Sequence, residues 1–184
     1  MATERMNLVT MMNVAWDRRC ETSAEEYEVK VKNLISHAFV EYERMYVAYC
    51  NEKGVEYKDD VFYLFQRLII WHTMSDGDFL QGEYDAYCKY CDWARIQPLT
   101  VADCKNLASR LTVDEIVNDL QLVCGLRDSI NPENFTALVQ GFCYMSLLGD
   151  KQLDENEYYL LKCFFKKGYD YCPDTWDQFK KEWA

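Results

Sequence analysis

The stretch "ETSAEEYEVKVKNLISHAFVEYERMYVAYCNEKG", residues 21–54, decides the fold class of this chain. Two capping-box pairs are available at its start, Thr22 with Glu25 and Ser23 with Glu26. Apolar residues then recur every three or four positions from Val31 to Tyr49, and Gly54 supplies a stop signal. The spacing predicts one long amphipathic helix over 22–54.

Similar start signals precede the later apolar segments. They are Thr100 with Asp103, Thr112 with Glu115, Asn131 with Pro132, and Asp154 with Glu157. With only 3 Pro and 7 Gly in 184 residues there are few breaks, and no alternating strand pattern stands out. We therefore predict an all-α fold, a bundle of about eight helices that forms a single domain over residues 1–184.

Charge and hydropathy exclude several classes of function. A net charge of −11 argues against a nucleic-acid-binding surface, which needs concentrated basic residues. The longest uncharged stretch, residues 134–149, is too short to span a bilayer, so no transmembrane segment is predicted. The start of the chain has no signal-peptide pattern. These features predict a cytoplasmic protein.

An internal repeat is indicated when the sequence is shifted by 74 residues, which aligns repeat 1 (57–110) with repeat 2 (131–184). Apolar positions then coincide: Val61 with Phe135, Leu64 with Leu138, Phe65 with Val139, Leu68 with Phe142, and Ile69 with Cys143. Each segment reads as an apolar helix, an acidic turn, an aromatic helix, a proline break and a short helix. A three-helix unit cannot bury its apolar face alone, so the two copies are expected to pack together.

The acidic turns carry a resemblance to a known family. The first turn is "DGDFLQGE", residues 76–83, and the second is "DKQLDENE", residues 150–157, where Lys151 replaces the glycine. This motif between two such helices resembles the TerB-like family, named for tellurite-resistance proteins, over roughly residues 57–183. The resemblance implies an internally duplicated helical bundle, in the cytoplasm or peripherally associated with the inner membrane face. It also implies a link to stress response and metal sensing, without enzyme activity.

The same turns are the candidate metal sites. A standard EF-hand starting at Asp76 is rejected, because the positions that should hold oxygen ligands and the glycine hold Leu80, Gln81 and Tyr87. A looser carboxylate site for Ca²⁺ or Mg²⁺ remains open: Asp76, Asp78 and Glu83 in the first turn, and Asp150, Asp154 and Glu157 in the second. The structural alternative is that Asp154 and Glu157 act only as a helix cap, and Glu83 as a charge that complements a helix dipole.

Two functional hypotheses follow. The first is a non-enzymatic binding or scaffold protein that acts through helix faces on a protein partner or a second copy, tuned by a cation. The second is a small enzyme, either a redox protein using Cys88 and Cys91 or a metal-dependent hydrolase using the carboxylates. The CxxC pair falls mid-helix rather than at a helix start, which disfavours redox chemistry. His72 shares a face with Phe65 and Leu68 and is expected to be a packed histidine.

Overall fold

The structure, a computed structural model, describes residues 5–54, 56, 60–73, 81–129, 131–149 and 151–184. These residues form nine α-helices and one 3-10 turn, which confirms the all-α fold class. The helices are α1 (Leu8–Glu21), α2 (Ala24–Lys53), α3 (Asp60–Thr73), α4 (Gln81–Ala94), α5 (Val101–Arg110), α6 (Val113–Leu126), α7 (Pro132–Ser146), α8 (Glu155–Lys162) and α9 (Trp176–Trp183). A 3-10 turn, Arg127–Ser129, follows α6. Each helix in this described part is too short or too polar to cross a bilayer.

The start signals act as the sequence predicts. Ser23, rather than Thr22, caps α2 in a reciprocal capping box with Glu26, and Gly54 ends the helix in the left-handed conformation. The boxes at Thr112 and Asp154 form in the same way. Because each box satisfies backbone N–H groups that would otherwise lack partners, it fixes the first residue of its helix.

The long helix α2 packs on the bundle, most extensively against α7 and next against α4. Gly141 of α7 permits the close approach, because a Cβ there would lie 2.7 Å from Cδ1 of Ile35. In the same interface, near the start of α2, the Tyr27 hydroxyl donates to the carbonyl of Tyr144 at 3.0 Å, and the two rings stack with centroids 5.3 Å apart. Residues 22–54 are thus part of the bundle.

Asp170 joins the start of the described chain to its last third. Its carboxylate accepts two hydrogen bonds from Arg127, at 2.6 and 2.9 Å, and further ones from the backbone N–H groups of Lys166 and Met6. A parallel bridge between Asn7 and Tyr171 lies next to it. Burial alone would raise the pKa of Asp170, but these hydrogen bonds hold the pKa below its ordinary value.

The internal duplication stays a prediction. Two observations relate to it. The first is that α4 and α8 begin 74 residues apart, at Gln81 and Glu155. In addition, the Tyr84 hydroxyl donates to the carbonyl of Leu99, and 74 residues later the Tyr158 hydroxyl donates to the carbonyl of Pro173.

Candidate functional site

The six predicted metal ligands fall into two groups. Asp76, Asp78 and Asp150 lie outside the described residues. Glu83, Asp154 and Glu157 are described: Glu83 is in the first turn of α4, and the other two stand at the start of α8.

Asp154 and Glu157 hold the start of α8 through each other. The Glu157 N–H donates to Oδ1 of Asp154 at 2.7 Å, and the Asp154 N–H donates to Oε2 of Glu157 at 3.0 Å. This is the capping box that the sequence offered as the structural alternative to a metal site. Capping therefore accounts for one oxygen of each carboxylate without an ion.

A buried polar group, the His72 cluster, lies where α3, α7 and α8 meet and consists of His72, Ser146 and Glu157. Nε2 of His72 is 3.2 Å from Oγ of Ser146 and 3.5 Å from Oε1 of Glu157. Ser146 also donates to the carbonyl of Phe142, whose ring meets the imidazole edge-on at 5.9 Å. His72 is only 3% exposed, which confirms that it is a packed histidine.

Burial sets the ionisation of His72. Loss of solvent lowers the pKa of the imidazole to about 4, although the charge of Asp154 acts in the opposite direction. The ring is therefore neutral at physiological pH. A neutral imidazole carries one N–H, so only one of its nitrogens can donate.

The His72 cluster does not have the geometry of a hydrolytic triad. In such a triad the serine and the acid contact opposite nitrogens of the imidazole ring. Here both Ser146 and Glu157 lie at Nε2, and the buried Nδ1 has no hydrogen-bond partner among the described residues. The cluster is a structural contact between three helices.

The thiols of the CxxC pair sit in the middle of α4, as predicted. Burial raises the pKa of Cys91 to about 11, so this thiol is protonated at neutral pH and is a poor nucleophile. Cys88 is half-buried and lines a surface cleft. The environment of Cys91 is the reverse of the electropositive one that activates redox thiols, which weighs against a redox enzyme.

The second acidic turn has a residue with positive φ at the position that aligns with the glycine of the first turn. Lys151 has φ +62°, in the left-handed region where a residue with a Cβ is strained and glycine is not. In the first turn the aligned residue is Gly77. The glycine of the TerB-like motif therefore corresponds to a position that has positive φ in the second turn.

The most apolar part of the outer surface of α2 is a row of three valines, Val29, Val40 and Val47, here called the valine row. These side chains are 56%, 59% and 38% exposed. Their spacings of 11 and 7 residues are close to three and two turns of about 3.6 residues, so they share one line along the helix. The buried face of α2 lies on the opposite side.

Comparison with known proteins gives no match to a protein-family model, a curated protein or a solved structure. The TerB-like resemblance accordingly stays a prediction that rests on the motif and on the helix pattern. Within the described ranges, no group of three His, Cys, Asp or Glu side chains is arranged to hold a metal ion.

Sequence reasoning did not identify Ser146 or the pair of Arg127 and Asp170. A signal for Ser146 was present, because the 74-residue shift of the predicted repeat aligns it with His72, and the two side chains are in contact. The Arg127–Asp170 pair joins residues 43 positions apart, so no short sequence pattern indicates it.

Proposed function

We propose that this chain is a non-enzymatic, TerB-like helical binding protein whose interface is the outer face of α2. The observation that carries the proposal is the valine row, three aligned aliphatic side chains at the centre of an otherwise polar helix face. Valine is a poor helix former, at roughly 0.5 kcal/mol less favourable than alanine, so three exposed valines lower the stability of an isolated α2. Burial in an interface would offset that cost, since a buried valine contributes about 1.5 kcal/mol or more.

The partner we propose is a second copy of this chain. The residues that flank the valine row carry both signs of charge, with Lys32 and Arg44 as cations and Glu43 as an anion. In an antiparallel pair of α2 helices with its two-fold axis at Val40, Glu43 of one copy lies opposite His37 of the other. A surface that complements itself in this way suits an isologous dimer.

Sedimentation over a wide range of concentration tests the proposal. The unmodified chain should form a reversible dimer, and Val40→Lys should abolish it by placing two like charges at the axis. The same substitution at Val113, which is 69% exposed on α6, is the matched control and should leave the dimer intact. A chain that stays monomeric at every concentration, or a dimer that Val40→Lys does not affect, would refute the proposed interface.

The cation-responsive part of the proposal rests on the carboxylate pattern of the two acidic turns, because Glu157 already directs Oε2 to the α8 cap and Oε1 to His72. We propose that Ca²⁺ or Mg²⁺ binds the carboxylates of the acidic turns, since both ions prefer oxygen ligands. Calorimetric titration of chelator-treated protein should give saturable heat, and Asp150→Asn should weaken it. Heat of dilution alone from both ions would leave Asp154 and Glu157 as a helix cap and remove the cation from the proposal.

A further inference from the structure

Two cysteines contact each other where the ends of α6 and α8 meet. The thiol of Cys124, in the last turn of α6, lies 3.3 Å from the carbonyl oxygen of Cys163, the residue that ends α8. Standard bond lengths put that oxygen about 2.4 Å from Cα of Cys163, so the Cys124 sulfur is within about 6 Å of this Cα. The Cys124 thiol therefore lies directly against the backbone of Cys163.

The surrounding ion pairs hold this junction in place. The turn after α6 carries Arg127, which forms the two-bond pair with Asp170, and the side chains of this pair are 11% and 2% exposed. Next to it, the Lys166 ammonium lies 2.5 Å from Oδ1 of Asp128. Because both pairs tie the α6 end to the segment after α8, the approach of the two cysteines follows from fixed neighbours.

Access and surroundings distinguish this pair from the other thiols. Cys163 is exposed and Cys124 is half-buried, so a small oxidant can reach the first, and the second contacts its backbone. Cys20 is exposed as well and serves as a comparison, and Cys143 is fully enclosed.

We propose that Cys124 and Cys163 are a redox modification site, which a small-molecule disulfide of the glutathione type converts into an intramolecular disulfide. The Cys163 thiolate attacks one sulfur of the oxidant and displaces a glutathione thiolate, which takes up the proton that Cys163 released. Cys124 then loses its proton and attacks the Cys163 sulfur, and the second glutathione leaves as a thiol. Two protein thiols are oxidised and one small disulfide is reduced to two thiols.

The disulfide would close a loop between positions 39 residues apart that contains α7 and the whole of α8. Cross-linking such a loop restricts the unfolded chain and stabilises the folded one. Burial raises the pKa of Cys124 to about 12 and also raises that of Cys163, so the exchange should be slow at neutral pH and faster as the pH rises.

Peptide mapping in glutathione buffers of increasing oxidised fraction tests the site. Oxidation should yield one peptide pair linked through Cys124 and Cys163 and raise the thermal midpoint by several degrees, and a reductant should reverse both changes. Cys163→Ser, at an exposed position, should abolish both effects, and Cys20→Ser should leave them unchanged. Glutathione retained on Cys163 without a link to Cys124, or a link from Cys163 to Cys172 instead, would overturn the proposal.

Discussion

Acidification should destabilise the fold through His72. The unfolded chain binds a proton on this residue with a pKa of 6.5, whereas burial lowers the pKa in the fold to about 4. Because the unfolded state binds the proton more tightly, stability is fully present above pH 6.5 and falls as the pH drops towards 4. At about 1.36 kcal/mol per pH unit, the loss is about 2 kcal/mol by pH 5 and reaches about 3 kcal/mol below pH 4.

Urea unfolding followed by circular dichroism at pH 7.5, 6 and 5 measures this loss. Other acids contribute to the same trend, since the pKa values of Asp170 and Glu115 also lie below their ordinary range. The quantity that isolates His72 is therefore the difference in pH dependence between the wild type and His72→Leu. That variant should lose about 2 kcal/mol less than the wild type between pH 7.5 and 5.

If His72→Leu loses as much stability on acidification as the wild type, the imidazole is not held neutral by burial, and the argument fails. A proton NMR titration of the His72 ring gives an independent check, with a midpoint near pH 4 expected.

Three further predictions concern the backbone and the buried ion pair, and each is measured by chemical denaturation. Lys151→Gly should stabilise the fold by about 1 kcal/mol, because the positive φ of Lys151 disfavours a side chain; an unchanged or lower stability would contradict this. Asp170→Asn should cost about 3–5 kcal/mol by leaving the Arg127 charge buried without its partner, and a loss below 1 kcal/mol would show that the pair is solvated. Gly125→Ala should add about 0.5–1 kcal/mol through helix propensity, since open space surrounds the new methyl group. Gly141→Ala should add less or destabilise, because its methyl group meets Ile35 at 2.7 Å, and equal effects at the two glycines would refute close packing there.

Local chemistry made the helix starts predictable. In the capping boxes at Ser23, Thr112 and Asp154, the two partners lie three residues apart, so one short segment of sequence contains both partners of the interaction. The same locality explains why the sequence suggested both a cap and a metal ligand at Glu157. Carboxylates near a helix start serve either purpose, and only the surrounding atoms distinguish them.

Contacts between distant segments were not predictable in the same way. The contact of His72 with Ser146 spans 74 residues, and its geometry depends on how three helices cross. The sequence placed His72 on the apolar face but gave no information on the side of the ring that would meet Glu157. That orientation decides between a triad and a structural contact, and it can be determined only from coordinates.

The bond from the Met6 N–H to Asp170 joins residues 164 positions apart, and it has a consequence for the order in which the chain can fold. Among the nine described helices α1 is synthesised first, but the residues that hold its start are made only after the other helices up to α8. Closing so long a loop is entropically costly, so this contact forms after the more local helix pairs have assembled. The first of the described helices is thus among the last to be held in place, and a nascent chain stalled before residue 170 would expose the apolar side of α1 to chaperones and proteases.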